Sequence, residues 1–310
     1  MRSQELNSII PKGFQGEALF MELMKNHTSL RIGGPADIFA VPQNIASLAD
    51  LHRVLKKGGV PFSPIGGGTN MVVKDGGIEG CVISLRYFRR IGVLHRNETN
   101  VALIVEAGAP LQRLVHYAAE NGCAGIEGLA GIPGTVGGAI CGNSGSFGHE
   151  MKDVLVSIEI MDSAGRIGRI NAEEIQFGYR RSEIPKDTFV LNAEIKLGIQ
   201  TKEEVTAKTE QFLSEKRLHQ PIWEPSAGCV FKNPSGVAAG KMIDEAGCKR
   251  LRIGDVEVSA LHANFFINKG NASASDYLRL MEEVAGKVKE KFGVTLEPEI
   301  KIVGRDSVNG

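Results

Sequence analysis

The sequence predicts an α+β protein of more than one domain, and three observations carry that prediction. Strand-like, helix-like and glycine-rich segments follow one another through the first half of the chain. Two loops are dense in glycine: residues 125–148, GIEGLAGIPGTVGGAICGNSGSFG, and residues 64–70, PIGGGTN. A charged helical stretch at 202–217 then marks a boundary, beyond which the last third has elements of its own. At 310 residues the chain is also long for a single core.

Taken in order, residues 44–57 have Leu48, Leu51, Val54 and Leu55 at helical spacing, with Gly58 as a stop. Residues 60–65 return as a strand that delivers the 64–70 loop, and 81–85 and 101–107 are two further strands. Pro110 opens a helix whose face is Leu111, Leu114, Val115 and Ala118, and Gly122 ends it. That helix leads into the glycine-rich centre. After Phe147 the texture changes: 154–161 and 169–170 flank the turn Ser163-Ala164-Gly165, and 189–197 is another strand. Between them, residues 177–182 (FGYRRS) are short and polar, suited to pointing side chains into a cleft. The last third predicts a helix at 239–246 and strands at 256–258 and 264–268. It closes with a long helix that has Ser273 and Asp276 as a capping box and Gly293 as its stop. Residues 296–300 (LEPEI) read as a C-terminal strand, on which alternation puts Glu297 and Glu299 on one face.

The glycine loops carry the first functional argument. They bury few side chains, so their use lies in exposed backbone, which a ligand can approach directly where no Cβ intervenes. Successive N–H groups turned into one concavity suit a pyrophosphate, and two such loops suggest one extended phosphate ligand held from two sides. A flexible linker is the bland alternative, but linkers are not threaded with Ile126, Leu129, Ile132, Val136 and Ile140. No G-x-G-x-x-G occurs, and Gly236-Val-Ala-Ala-Gly240-Lys241 has neither the spacing nor the hydroxyl of a P-loop. The common dinucleotide and nucleoside-triphosphate folds lose their support.

Composition excludes other classes. Lys plus Arg equals Asp plus Glu at 36 each, so no polyanion signature exists and nucleic acid is not an expected partner. Neither MRSQELNSIIPKGFQG nor any later stretch has the apolar length of a signal peptide or a membrane span. Five cysteines with no C-x-x-C point to a reducing compartment. The seven histidines lack ligand spacing, so no metal is assigned. A soluble cytoplasmic protein, monomeric or weakly oligomeric, is expected.

Three motifs in order, Arg31-Ile-Gly-Gly-Pro35, Ile65-Gly-Gly-Gly-Thr-Asn70 and Gly131-Ile-Pro-Gly-Thr-Val-Gly-Gly138, resemble the flavin-binding half of the UDP-N-acetylenolpyruvoylglucosamine reductases. Further motifs extend the resemblance from about Asn26 to Gly304. It implies a two-lobed FAD-binding domain of the vanillyl-alcohol-oxidase type (1–85 and 86–201), followed by a smaller α+β substrate domain (202–310). FAD would be held by Arg31, by Ile65, Gly66, Gly67, Gly68, Thr69 and Asn70, by Gly131, Ile132, Pro133, Gly134, Thr135, Gly137 and Gly138, and by Asn143. No Gly-His step lies near Arg31, so the flavin is expected to be non-covalent. The resemblance further implies NADPH as hydride donor and a UDP-sugar enolpyruvyl ether as substrate.

The same resemblance selects the residues for the chemistry. Arg180, after Tyr179, matches the family's substrate-carboxylate arginine, whose fork suits a carboxylate. By composition alone it would be a surface ion pair. Cys229, in PSAGCVFKNP, stands where the family commonly carries its serine proton donor. A buried packing cysteine is the bland alternative, yet a thiol of reference pKa about 8.5 releases a proton more readily than an alcohol. Glu299 matches the family's second acid, and Lys216, Asn233, Lys241 and Asn264 are expected substrate contacts. Two rivals stand beside this reading: a flavin oxidase acting on an alcohol or sugar, and a non-catalytic nucleotide binder. The second would require loss of Arg180 or Glu299, and both are present.

Overall fold

The computed structural model describes residues 9–185, 187–234 and 236–307. Residues 1–8, which begin the stretch weighed as a leader, lie outside the described residues. The chain forms two compact units, each assembled from separated segments: 9–20, 38–67 and 81–215 in one, 21–37, 68–80 and 216–307 in the other.

The first unit centres on the 11-residue strand Phe189–Ile199. Its sheet is antiparallel, in the order Ile167–Asn171, Leu155–Met161, Phe189–Ile199, Asn100–Glu106, Ile91–Arg96. The expected hairpin turns at Gly165 with φ +80°, a conformation glycine adopts without cost. Val101, Leu103, Ile158 and Ile195 from this sheet bury against Leu114 of the helix Leu111–Glu120 and Val136 and Ile140 of the short helix Val136–Cys141. A second sheet runs Gly16–Leu23, Pro35–Pro42, Ile78–Ser84, Phe62–Ile65. Against its Ile38, Ala40 and Ile83 the helix Ile45–Lys57 packs Leu48, Leu51 and Leu55, the apolar face read from spacing. Asn44 caps that helix by accepting from the Ser47 N–H, and Gly58 ends it.

The second unit has an antiparallel sheet in the order Ser226–Cys229, Phe265–Asn268, Val256–Val258, Arg252–Ile253. The helix Ala274–Phe292 covers it with Tyr277, Leu280, Met281, Val284 and Val288. Ser273 accepts from the Asp276 N–H at its start, and Gly293 closes it in the left-handed conformation, φ +69°. The Asp75 carboxylate adds a second cap, accepting from the Ala274 and Ser275 N–H groups at 2.8 and 2.9 Å.

Residues 296–300 differ from expectation. They are not a strand: only Pro298 bridges to Phe231, and regular pairing begins at Lys301–Val303, parallel to Met71–Val73. The Lys232 N–H donates to the Glu297 carbonyl and the Glu299 N–H to the Val230 carbonyl on either side of that bridge, and Glu297 is exposed where Glu299 is half-buried. Among the described residues no helix is long and apolar enough to cross a membrane.

Candidate active site

In the first unit the two glycine loops meet. A methyl group at Gly66 would lie 2.6 Å from Thr135 Oγ1 and 3.8 Å from the Gly138 Cα. Gly66, Gly67 and Gly138 are exposed, so this backbone surface is open because side chains are missing. It fits the pyrophosphate of a flavin dinucleotide. Gly137 is different. It is buried, donates to the Ala107 carbonyl at 2.8 Å, and leaves no room for a Cβ, which would fall 2.8 Å from that of Ala107. Ile65 is buried, and Ile132, Gly134 and Thr135 are half-buried, with Pro133 exposed beside them. Gln112, which sequence reasoning passed over, braces this loop: its amide donates to the Leu129 and Ile132 carbonyls and accepts from the Gly131 N–H. Its only signal is a polar residue beside Leu111 on an apolar helix.

Arg180 lies at the tip of a small hairpin, Phe177–Gly178 paired with Arg181–Ser182. Its backbone is left-handed, φ +56°, and its guanidinium sits 5.4 Å from the exposed Tyr179 ring centroid. Arg180 Nη1 donates to the Gly145 carbonyl at 2.8 Å. Asn143, expected at the cofactor, is wholly enclosed. Its Nδ2 donates to Glu150 and to the Gly178 carbonyl, and its Oδ1 accepts from the Lys152 N–H. With the amide committed this way, the Asn143 side chain serves the hairpin and not a ligand.

In the second unit, Gly68, Thr69 and Asn70 complete the first glycine loop. A Cβ at Gly68 (φ +61°) would fall 2.1 Å from the His27 carbonyl oxygen, so this glycine serves packing. The loop's neighbours are functional candidates: Asn70 Nδ2 donates to the Glu299 carbonyl, and the Lys301 N–H donates to that of Asn70. Ser29 Oγ donates to the Ser226 carbonyl, joining the 28–34 turn to the segment that carries Cys229. Arg31 in that turn is exposed with φ +55°, and Asn268 Nδ2 donates to its carbonyl.

Cys229 ends the strand Ser226–Cys229, whose register against Phe265–Asn268 shifts between Ser226 and Cys229. Such a bulge re-aims the side chain that follows it, and Cys229 is half-buried rather than packed away. Next to it the Glu299 N–H donates to the Val230 carbonyl at 2.8 Å, so the cysteine and the second acid share one neighbourhood. Glu299 is half-buried, whereas Glu297 is exposed and pairs with Lys232. The structure thus separates two carboxylates that sequence pattern left equivalent.

The expected substrate contacts divide. Lys241 is exposed, with Glu245 one turn on, and Lys216 is only 3% exposed. Asn233 is exposed but spends its oxygen on the Ala239 N–H at 2.9 Å. Asn264 is a correction. It is buried, its amide clamping both the N–H and the carbonyl of Phe231 at 2.9 and 2.7 Å, so it shapes the 229–232 segment without reaching a ligand. A cavity of about 320 Å³ beside His52, Arg53 and Gly165 contains none of the candidate residues.

Comparison with known proteins gives matches over most of the chain. Residues 36–171 match the FAD binding domain family, and residues 220–303 match the UDP-N-acetylenolpyruvoylglucosamine reductase C-terminal domain family. The chain is 40% identical over 292 residues to the UDP-N-acetylenolpyruvoylglucosamine reductase of Geotalea uraniireducens, covering 94% of this chain and 96% of that one. It is 43% identical over 291 residues to the enzyme of the same name from Caldanaerobacter subterraneus subsp. tengcongensis, covering 94% and 95%. The crystal structure of the UDP-N-acetylenolpyruvylglucosamine reductase of Thermus caldophilus superposes with a TM-score of 0.79 at 34% identity, covering 94% of this chain and 99% of that one. With matches to both domain families and near full-length similarity to these relatives, the chain belongs to the UDP-N-acetylenolpyruvoylglucosamine reductase family.

Proposed function

We propose that this protein reduces the enolpyruvyl ether of UDP-N-acetylglucosamine enolpyruvate to UDP-N-acetylmuramate, with NADPH as reductant, in peptidoglycan precursor synthesis. The observation that carries the chemistry is the Glu299 N–H bond to Val230, which puts an acid beside Cys229. Gly66, Gly67 and Gly138 would offer backbone to FAD, which when bound would supply the hydride chemistry between NADPH and the enolpyruvyl double bond. Arg180 binds the substrate carboxylate, on which charge builds as the double bond is reduced, and Glu299 serves as the second acid. The Cys229 thiol then gives its proton to the neighbouring carbon, and the thiolate recovers a proton from solvent. Tyr179, Lys216, Asn233 and Lys241 contribute to holding the UDP-sugar. The lobes 1–85 and 86–201 serve the flavin, and 202–310 serves the substrate. The protein acts in the cytoplasm as a monomer or weak oligomer, without a nucleic-acid partner.

Anaerobic stopped-flow measurement of the two half-reactions tests this reading. Cys229→Ala should leave flavin reduction by NADPH intact and slow reoxidation by the enolpyruvyl substrate about 10²- to 10⁴-fold, the loss typical of a missing general acid. Cys229→Ser should restore much of it. Reoxidation of Cys229→Ala at the wild-type rate would exclude the thiol as donor, and a wild-type flavin that the enolpyruvyl compound does not reoxidise would overturn the function.

A further inference from the structure

Arg180 is a bulky residue held at φ +56°, a conformation that costs about 1 kcal/mol or more and persists only where surroundings enforce it. The hairpin around it is two residues a side, too small to hold itself. Three hydrogen bonds fasten it to the segment after the glycine-rich centre. Asn143 Nδ2 donates to the Gly178 carbonyl at 3.2 Å, Ser182 Oγ to that of Cys141 at 2.9 Å, and Arg180 Nη1 to that of Gly145 at 2.8 Å. Asn143 is itself left-handed, φ +42°, and fully enclosed, so its amide direction is set by its surroundings.

Glu150 links this brace to charge. A carboxylate held by several donors is fixed in direction. This one is already engaged: it accepts from Lys152 Nζ, from Asn143 Nδ2, and from the Asp153 N–H in a capping box. The Lys152 bond, against opposing burial, and then the Asn143 bond and the Lys152 and Arg180 charges hold its carboxyl below the usual range. It therefore stays ionised, a strong acceptor for the Asn143 amide.

We propose that Asn143 and Glu150 are positioning residues for Arg180: Asn143 fixes the hairpin through Gly178, and Glu150 fixes Asn143 by accepting from its amide. The proposal rests on Arg180 as the anchor of the substrate carboxylate. A misplacement of about 1 Å in such an anchor costs on the order of 10²-fold in rate.

The test uses Asn143→Gly, which accepts φ +42° and removes only the side chain, with Glu150→Ala as a second variant should the first not fold. Limited trypsin digestion of the flavin-loaded protein reads hairpin attachment at Arg180 and Arg181, independently of activity. Stopped-flow reads both half-reactions. Both variants should be cut at least about tenfold faster there and should slow reoxidation by the enolpyruvyl substrate about 10- to 100-fold, with reduction by NADPH unchanged. Glu150→Gln, which keeps acceptors for Asn143 and Asp153, should lose less than Glu150→Ala. Unchanged trypsin resistance, or equal losses in both half-reactions, would overturn the proposal. An Arg180→Lys protein with full turnover would instead sink the underlying assignment of Arg180, while the digestion still reports on the brace.

Discussion

Gly137 and Gly138 are adjacent, yet alanine at each should act through a different mechanism. At Gly137 the new Cβ would lie 2.8 Å from the Ala107 Cβ and 3.1 Å from its carbonyl oxygen. Neither atom is the end of a flexible side chain, so the short helix Val136–Cys141 must shift away from the strand edge. Overpacking of this kind costs about 1–3 kcal/mol, and at roughly 2–4 °C per kcal/mol for a unit of this size the flavin-free protein should melt about 2–12 °C lower. At Gly138 the new Cβ would meet, among the described residues, Thr135 Oγ1 at 3.4 Å, an ordinary contact. Replacing a helical glycine without clash stabilises by about 0.4–1 kcal/mol, so flavin-free Gly138→Ala should melt at or slightly above wild type. Its methyl group nevertheless projects from the exposed loop face toward the dinucleotide. Differential scanning fluorimetry of stripped protein, followed by FAD titration, separates the two. Gly138→Ala should keep its melting temperature and bind FAD at least about tenfold more weakly, a 1.4 kcal/mol loss, whereas Gly137→Ala should lose stability first. Wild-type FAD affinity in Gly138→Ala would refute the backbone-cradle argument, and an unshifted melting temperature in Gly137→Ala would refute the packing argument.

Tyr277 is fully buried and its hydroxyl has no hydrogen-bond partner among the described residues, so Tyr277→Phe should raise stability by about 1 kcal/mol in urea titration; a loss of that size would mean the hydroxyl is bonded. His52 is buried against Phe62, ring centroids 5.1 Å apart. Burial, and then the Lys56 charge against that of Asp162, lower its pKa, so the folded protein resists a proton that the unfolded chain accepts. Stability from this residue is complete above about pH 6.5 and is lost as the pH falls through that value. Urea midpoints at pH 7.5 and 5.5 should differ in wild type and converge in His52→Gln; an unchanged difference would assign the slope to other groups.

Local elements with strong stop and start chemistry were legible from composition and spacing. The helix Ile45–Lys57 starts at an asparagine cap and ends at Gly58, and Ala274–Phe292 lies between Ser273 and Gly293. Those signals are short-range, so the chain displays them directly. The strands Gly16–Leu23 and Pro35–Pro42 were not legible, since their burial depends on partners that the local sequence does not name. The predicted strand at 296–300 is reduced to one bridge, Phe231 to Pro298, because its pairing depends on a distant partner segment.

The same division runs through the site. Sequence, read with the family resemblance, named the groups on offer: an arginine, a thiol, an acid and two glycine loops, because a side chain's donor set travels with its identity. Tertiary structure decided which neighbours each of them has. Glu299 and Glu297 are two residues apart, yet Lys232 takes one and the Val230 pairing brings the other beside Cys229. Asn143 and Asn264 have the same amide as any ligand-binding asparagine, but Gly178, Glu150 and Phe231 consume it. Gly137 and Gly138 differ only in which one faces Ala107. Each outcome is a matter of direction and competition for hydrogen bonds between residues distant in sequence, which become definite only when the chain has closed on itself.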